Sequence, residues 1–384
     1  MFMAEMQFAE FPKPKGEYAV GRRQMDFRYT AKDGSVRNLT ALFFYPADSN
    51  AGKERAYYLF PEYGPMRNEM LAAIGSPQEV YPDLDFRPQC YEDLPLSDKQ
   101  EKYPVLFYNH GAGNVPQMGT LWCEEMASLG YIVISVGHPD GGFQRFLDGH
   151  VTGVTQEFIE GIKGYSEEVI MYYLPNPRML VEKLPHDEAT EISRTVTAAP
   201  KGDAFSRFAL YQSEDTRYVA DMVEEMEIGN IQSVFEGRLE LGKGFGIFGH
   251  SFGGTVAAMT CRDDARFMCG INYDGNMLGC LDSDLGKPFM QLVTPLAHNT
   301  NAFMLDSNTG INYFVVISMI SHFEFCDALF TNRDPANVSL RDPMDTRNMI
   351  LAYTCSFFSR YLLGKQDDPA LISFDGAEMI VTNC

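Results

Sequence analysis

The chain has 384 residues, of which 45% are hydrophobic, and it carries a formal net charge of −21 at pH 7 with an isoelectric point near 4.7. That apolar fraction is enough for a sizeable core in one large domain or two, whereas the negative charge argues against nucleic acid and anionic lipid surfaces as partners. Because no run of about 18 apolar residues occurs and residues 1–30 lack a signal-peptide core, we expect no integral membrane segment and a cytoplasmic location.

The N-terminal quarter of the chain predicts a hairpin followed by a long irregular segment. Residues 18–47 alternate in polarity and end in an apolar run, which is typical of antiparallel strands. Residues 48–102 are rich in Pro, Asp and Tyr. Since prolines interrupt regular elements, we predict a long surface excursion there, and the prolines in question are Pro61, Pro65, Pro77, Pro82, Pro88 and Pro95.

Strands and helices then alternate. Buried strands are predicted at 105–108 and 131–135, with a helix over about 117–129 between them. Residues 143–213 interrupt this alternation before a helix predicted over 215–227. Since proteins of this layered architecture commonly carry a cap over the active site at this point, we predict that 143–213 forms a cap or lid.

The C-terminal half continues the same alternation. An apolar run at 245–248 predicts a strand and residues 255–259 predict a helix packed against it. Further predicted elements are strands at 269–273, 289–293 and 313–317 and an amphipathic closing helix over 347–363. This order predicts one domain with a mostly parallel central sheet flanked by helices.

A nucleophile motif lies between the strand and the helix at residues 245–259. Gly249-His250-Ser251-Phe252-Gly253 matches G-x-S-x-G, the sharp turn that holds a serine hydroxyl above a parallel sheet. Its glycines permit a strained turn and close approach of strand and helix. The motif in this context predicts an α/β-hydrolase fold with Ser251 as the nucleophile.

A competing motif overlaps this turn. Gly244, Gly246 and Gly249 match G-x-G-x-x-G, with Asp264 about 20 residues beyond, as in a dinucleotide-binding site. These glycines fall within the predicted strand, whereas a phosphate-binding loop follows its strand and opens a helix. We therefore do not expect a nucleotide cofactor.

A serine nucleophile needs a general base, and in this fold the base follows the serine and the acid in the chain. Only His298 and His322 lie after Ser251. His322 lies in a short loop after the strand at 313–317, as a catalytic base should, whereas His298 lies in a polar stretch without such a placement. His322 is the better candidate.

The acid that orients the base has more than one candidate. Asp274 comes directly after the strand at 269–273, at the edge where catalytic groups gather in α/β sheets. Asp306 would be the natural choice if the acid came one strand later. Asp282 and Asp284 resemble a metal-binding DxD pair, but nothing else nearby resembles a coordination set, and solvated loop carboxylates explain them better.

Backbone amides are expected to stabilise the oxyanion. One is the amide after the nucleophile, that of Phe252. The second is predicted at Ala112, because Asn109-His110-Gly111-Ala112-Gly113 ends an early strand and its glycines allow close approach to a substrate.

The eight cysteines are scattered without a CxxC pair, and several lie in apolar runs. This pattern favours free core thiols over a disulfide framework or a metal site. We therefore expect neither a metal nor another cofactor.

Several segments resemble the platelet-activating factor acetylhydrolase family of serine esterases. The strongest resemblance is in Gly249-His-Ser-Phe-Gly-Gly254, followed by Arg-Phe-Met-Cys-Gly-Ile-Asn-Tyr-Asp at 266–274. Residues 104–113 resemble that family's oxyanion strand and loop, residues 138–141 its next strand end, and residues 12–21 its N-terminal segment. We do not match the segments 48–102 and 143–213 to the family.

The resemblance implies Ser251 as nucleophile, Asp274 as acid, His322 as base, and the Phe252 and Ala112 amides as the oxyanion hole. It favours Asp274 over Asp306, which spacing alone leaves open. It also implies a lipid-like or small-molecule ester substrate with short or oxidised acyl chains, and hence a role in lipid degradation.

The sequence thus predicts a serine esterase that works through an acyl-serine intermediate. Thioesterase, amidase or acyltransferase activity with the same triad is an alternative, and a non-catalytic binding protein on a hydrolase scaffold is a third reading. An acidic chain of this size is compatible with a monomer or a homodimer.

Overall fold

A ten-stranded sheet runs through the centre of the computed structural model, which describes residues 10–75, 86–281, 283–331 and 340–383. In chain order its strands are β1 Ala19–Thr30, β2 Val36–Ala47, β3 Cys90–Glu92, β4 Tyr103–Asn109, β5 Ile132–Val136, β8 Leu239–His250, β9 Phe267–Tyr273, β10 Phe289–Val293, β11 Asn312–Ile317 and β12 Ala377–Thr382. A separate two-stranded ribbon consists of β6 Gln144–Arg145 and β7 Val151–Thr152.

The spatial order of the sheet is β12-β11-β10-β9-β8-β4-β5-β2-β1-β3. The strands from β11 to β5 in this order all run parallel, whereas β12 and β2 run antiparallel to their neighbours β11 and β5. The sheet is therefore mostly parallel, as the sequence predicts, and the carboxyl ends of β4, β8, β9, β10 and β11 meet at one edge.

Helices cover both faces of the sheet. They are α1 Tyr63–Ala73, α2 Thr120–Ser128, α3 Gln156–Tyr173, α4 His186–Thr197, α5 Pro200–Glu227, α6 Phe252–Asp263, α7 Pro295–Asn301, α8 Met304–Ser307, α9 Ala328–Thr331 and α10 Pro343–Tyr361. Along β4, Val105 and Phe107 pack toward α5 and α6, while Leu106 and Tyr108 pack toward α2 and α10. Both faces being buried explains why the central strands are apolar throughout.

The N-terminal hairpin is confirmed, because β1 and β2 pair antiparallel along their whole length. The expectation that prolines exclude regular structure from 48–102 is wrong for α1 and β3. Pro65 lies in the first turn of α1, where the backbone nitrogen needs no helical partner, so the helix tolerates it. Pro77 and Pro82 lie outside the described residues.

The segment 143–213 contains the β6–β7 ribbon, α3, α4 and the first half of α5. The helix predicted over 215–227 in fact begins at Pro200, where proline occupies the first helical turn. No glycine or proline follows Gly202 in the helix, and buried residues recur at helical spacing, among them Phe205, Phe208 and Gln212. One unbroken helix therefore joins the segment to the core.

The C-terminal region holds elements that the sequence pattern did not indicate. The predicted closing helix is α10, whose N-terminus is capped by Asp342, the acceptor of hydrogen bonds from the amides of Met344 and Asp345. The helices α7 and α8 and the edge strand β12 were not predicted. The seven cysteines within the described ranges are unpaired, and Cys384 lies outside them.

The buried carboxyl group of Glu124, on α2, makes the stability of the fold depend on pH. It is 1% exposed, and burial raises its pKa from 4.5 to about 8. The folded state therefore holds this proton more tightly than the unfolded chain, so its stabilising effect is complete below about pH 4.5 and is lost as the pH rises through 8. We expect Glu124→Gln to raise the free energy of unfolding by a few kcal/mol at pH 8 and by much less at pH 5.

Urea unfolding at both pH values measures this effect, with the exposed Glu101→Gln as the control. An equal change at pH 5 and pH 8 would show that Glu124 does not hold a proton in the folded protein.

Candidate active site

Ser251 occupies the turn between β8 and α6. Its backbone lies at φ 56° and ψ −125°, a conformation that costs a non-glycine residue free energy and is held here by a 2.8 Å hydrogen bond from its amide to the carbonyl of Tyr273. A Cβ atom at Gly253 would lie 2.0 Å from the carbonyl oxygen of Asn109, and one at Gly249 would lie 2.2 Å from that of Gly253. Only glycine fits either position, as the motif predicts.

Asp274 and His322 meet beside this turn. Asp274 directly follows β9, and its Oδ2 lies 2.8 Å from Nδ1 of His322. The other carboxylate oxygen accepts hydrogen bonds from the Thr294 amide at 2.6 Å and hydroxyl at 2.8 Å. The Asp274 side chain is 3% exposed and that of His322 is 39% exposed, so the carboxylate is buried behind an imidazole that reaches solvent.

The other candidate acid lies elsewhere. Asp306 is on α8, its side chain is 47% exposed, and its Oδ1 lies 3.1 Å from Nε2 of His186. It is Asp274, therefore, that the fold brings to His322. Spacing alone did not distinguish the two, because the positions of these loops depend on how the strand ends pack.

The remaining candidates also lie apart from this pair. His298 is buried in α7, with Nδ1 3.0 Å from the side-chain oxygen of Asn299. Asp284 accepts hydrogen bonds from Gly286 and Thr309, as a loop carboxylate does. Asp282 lies outside the described residues.

His322 adjoins the turn at Ser251 through His250, the residue before the serine. The rings of His250 and His322 lie 4.7 Å apart between centroids, and Nε2 of His250 lies 3.0 Å from the carbonyl oxygen of His322. Ser251, Asp274 and His322 thus gather at the carboxyl edge of the sheet.

The loop after β4 closes the other side of the site. A Cβ atom at Gly111 would lie 3.1 Å from Cβ of Ser251, which places this loop directly against the nucleophile. Gly113 has a φ of 66° and donates a 2.8 Å hydrogen bond to Gly141. Within the described ranges, neither the Ala112 amide nor the Phe252 amide donates a hydrogen bond to another residue. The oxyanion hole at these two amides stays a prediction.

Helix α1, in the segment 48–102, supports this loop. Arg67 is buried and donates hydrogen bonds to the carbonyl of Gly113, at 3.2 Å, and to the side-chain oxygen of Asn114. Met70, one helical turn later, packs against Gly113. Sequence reasoning missed both residues, because nothing in a proline-rich segment signals a contact about 45 residues away.

A buried polar network fixes the end of β4 from behind. Thr216 donates a 2.8 Å hydrogen bond to Asn109, the last residue of the strand. Asp215, the preceding residue of α5, lies 3.0 Å from Nδ1 of His138 and accepts two hydrogen bonds from Arg37. Burial raises the pKa of Asp215, but the hydrogen bonds from Arg37 and His138 outweigh it and lower that pKa. The network therefore keeps a charged pair behind the site.

Aromatic side chains from 143–213 pack directly on the turn. The ring of Phe252 lies 4.8 Å from that of Phe205 on α5 and 5.8 Å from that of Phe158 on α3. Tyr165 on α3 stacks on Phe205 and accepts a 2.5 Å hydrogen bond from Asn276, two residues after Asp274. The segment thus contacts both the nucleophile turn and the loop of the acid.

Two other findings bear on what the chain binds. Among the residues that the structure describes, no three His, Cys, Asp or Glu side chains are grouped so as to hold a metal ion. Gly244, Gly246 and Gly249 lie inside β8, where they form no phosphate-binding loop. The expectation of a site without a cofactor stays a prediction.

No helix in the described part of the chain is long and apolar enough to cross a bilayer.

Comparison with protein families agrees with the geometry. A family model described as platelet-activating factor acetylhydrolase, isoform II, matches residues 3–144 and 228–304, which is more than half of the chain. The chain belongs to this family. The resemblance inferred from the sequence is therefore confirmed. The match includes Ala112, Ser251 and Asp274, runs through the segment 48–102, leaves out 145–227, and ends before His322.

Curated relatives carry the name platelet-activating factor acetylhydrolase. That from Canis lupus familiaris is 24% identical over 289 residues, covering 72% of this chain and 58% of the relative. That from Bos taurus is 23% identical over 319 residues, covering 80% of this chain and 64% of the relative. That from Gallus gallus is 26% identical over 288 residues, covering 70% and 64%. The chain thus spans less than two thirds of the length of the relatives it matches.

A solved structure confirms the fold. The ferulic acid esterase from Streptomyces cinnamoneus aligns with a TM-score of 0.66 over 97% of this chain and 99% of that one, at 17% sequence identity. Together with the family match, this structural alignment confirms the α/β-hydrolase fold that the sequence predicts.

Proposed function

We propose that this protein is a serine carboxylic ester hydrolase with Ser251 as nucleophile, His322 as general base and Asp274 as the acid that orients it. The observation that carries the proposal is the 2.8 Å contact between His322 Nδ1 and the buried Asp274, next to a serine in a strained turn. The family match and the esterase and acetylhydrolase names of the similar proteins support ester hydrolysis.

The first half of the reaction acylates the serine. Asp274 holds the proton of His322 on Nδ1, so Nε2 is unprotonated and takes the proton of Ser251 Oγ as that oxygen attacks the ester carbonyl carbon. The Phe252 and Ala112 amides donate to the oxyanion that forms. When the tetrahedral intermediate collapses, the ester C–O bond breaks and His322 gives its proton to the departing alcohol.

The second half releases the acid. His322 takes a proton from water, the resulting hydroxide equivalent attacks the acyl carbon, and the Ser251 ester bond breaks as Oγ regains its proton. Every proton transfer is made by one imidazole, so no cofactor is required.

We propose a single α/β-hydrolase domain in which 143–213 serves as a cap. The packing of Phe158 and Phe205 on Phe252 supports a role for this segment in shaping the substrate pocket. The substrate we propose is a small or lipid-like ester with a short acyl chain, since the relatives are named for an acetylhydrolase activity.

A substitution of Arg67 tests whether this residue supports the oxyanion loop, residues 109–113. Arg67→Met removes both hydrogen bonds to Gly113 and Asn114 and frees the loop that carries the Ala112 amide. Since losing one oxyanion donor outright costs about 10²–10³ in kcat, we expect a loss of about 10-fold in kcat with little change in KM. Steady-state kinetics checks this, with Arg207→Met, from an exposed ion pair, as the matched control. An unchanged kcat would show that the loop does not depend on Arg67.

The proposal is tested by hydrolysis of p-nitrophenyl esters from acetate to decanoate. We expect activity that is highest on the short chains. A wild-type protein inactive on every ester, but active on thioesters or amides, would replace the esterase assignment with one of those activities. Inactivity on all three would favour a binding protein on a hydrolase scaffold.

A further inference from the structure

His250 lies beside Ser251, His322 and the loop at 109–113, and it has no role in the reaction described above. Its side chain is buried, its ring faces that of His322 at 4.7 Å, and its Nε2 lies 3.0 Å from the His322 carbonyl oxygen. On the other edge of the ring, a Cβ atom at Gly111 would lie 3.4 Å from Nδ1. One imidazole thus touches the base and the oxyanion loop while its backbone carries the nucleophile.

The contacts fix the tautomer of this ring. A carbonyl oxygen only accepts, so Nε2 of His250 must carry a proton and donate it to His322. Nδ1 is buried and has no hydrogen-bond partner among the described residues. Burial, and the charge of His322 when it is protonated, hold the pKa of His250 well below its ordinary value. The ring is therefore neutral, with its single N–H directed at the backbone of the base.

Hydrogen bonds to other parts of the chain also hold the loop that carries His322. Met319 has a φ of 63° and is 53% exposed. The Ser318 amide donates to the Gly376 carbonyl, and Arg341 donates to the Ser318 carbonyl. The Ser321 amide donates to the Glu324 carboxylate, and the Glu324 amide donates to the Ser321 carbonyl. Asp274 holds the ring of His322, and the hydrogen bond from His250 ties the backbone of His322 to the turn at Ser251.

We propose that His250 is a positioning residue, which sets the distance of the His322 imidazole from Ser251 by donating a hydrogen bond to the His322 carbonyl. This inference rests on the proposed function of Ser251 and His322. Proton transfer requires the base within hydrogen-bond reach of the hydroxyl, and a displacement of about 1 Å in such a geometry can cost 10²-fold in rate. His250 contacts neither substrate nor reacting atoms in this scheme, so its effect passes through His322.

Two variants separate the hydrogen bond from the packing of the ring. His250→Phe keeps a ring but removes the donor, and we expect kcat on p-nitrophenyl butyrate to fall about 10- to 100-fold with KM within about 3-fold of wild type. His250→Gln restores a side-chain N–H, and we expect it to recover a large part of that loss. His150→Phe, at an exposed histidine, is the matched control. If the phenylalanine variant does not fold, His250→Asn, whose amide is too short to reach, takes its place.

Introducing His250→Phe into a His322→Ala protein distinguishes a positioning role of His250 from a general contribution to the stability of the fold. In His322→Ala there is no imidazole left to position, so adding His250→Phe should lower the residual rate by less than about 2-fold. An equal loss in both backgrounds, or a kcat for His250→Phe within about 2-fold of wild type, would overturn the proposal.

Proton NMR gives a readout that does not require esterase activity. We expect the low-field signal of the His322 Nδ1 proton, hydrogen-bonded to Asp274, to persist in wild type and His250→Gln and to broaden or disappear in His250→Phe. If wild type hydrolyses no ester, the proposed function fails, yet this signal still decides whether His250 holds His322. A sharp signal unchanged in His250→Phe would refute the positioning role.

Discussion

Ser251→Ala is expected to lower kcat/KM on p-nitrophenyl esters by about 10⁵- to 10⁶-fold. The hydroxyl is the only atom group removed, and without it no acyl-serine bond can form, so the residual rate reflects binding and the oxyanion donors alone. The turn at φ 56° remains strained with alanine, and we expect the free energy of unfolding to stay within about 0.5 kcal/mol of wild type. Steady-state kinetics and urea unfolding of the same preparation measure both quantities.

The matched control for this change is Ser49→Ala, at an exposed serine. A Ser251→Ala protein that keeps a tenth or more of the wild-type rate would exclude Ser251 as the nucleophile. Ser251→Gly tests the strain itself: glycine accepts this backbone conformation, and we expect it to be as inactive as alanine but about 1 kcal/mol more stable.

Asp274→Asn is expected to lower kcat by about 10³- to 10⁴-fold, whereas Asp306→Asn should leave it within about 3-fold of wild type. An asparagine side chain at 274 can present its NH₂ group to His322 Nδ1, which favours the tautomer with the proton on Nε2, where it cannot accept from Ser251. The buried carboxylate also stabilises the imidazolium that forms during the reaction, and the amide does not. Kinetics of the two variants on one ester measures the difference.

Asp306 is a stringent control because it is also a carboxylate paired with a histidine, His186, at 3.1 Å. Equal losses in the two variants would argue against assigning the acid to Asp274. A large loss in Asp306→Asn alone would point to a rearranged site.

The nucleophile turn could be predicted from the sequence because its determinants are local. Ser251 lies between an apolar strand and a helix, and the adjacent glycines are required by backbone contacts within a few residues and with the neighbouring strand end. His322 could be inferred from chain order in this fold. In contrast, the choice of Asp274 over Asp306 needed the family resemblance, since it depends on which strand ends pack together.

Long-range contacts account for what the sequence did not indicate. Helix α1 was not predicted because its proline was taken to interrupt a helix, although a proline is tolerated in the first helical turn. The role of Arg67 on this helix was not predicted because its partner, Gly113, is 46 residues away in the chain. The N-terminal extension of α5 was missed because residues 143–213 were considered as one insertion, although the helix crosses its boundary. The cytoplasmic location and a homodimer stay predictions.

Covalent labelling with an organophosphonate, followed by mass spectrometry of the digested protein, tests the central claim most directly. An organophosphonate reacts far faster with a serine that a neighbouring base activates than with other side chains, so we expect one adduct per chain, on Ser251. Labelling should be absent in Ser251→Ala and far slower in His322→Ala. Failure of the wild-type protein to label, or an adduct at another residue, would contradict the assignment of Ser251 as an activated nucleophile.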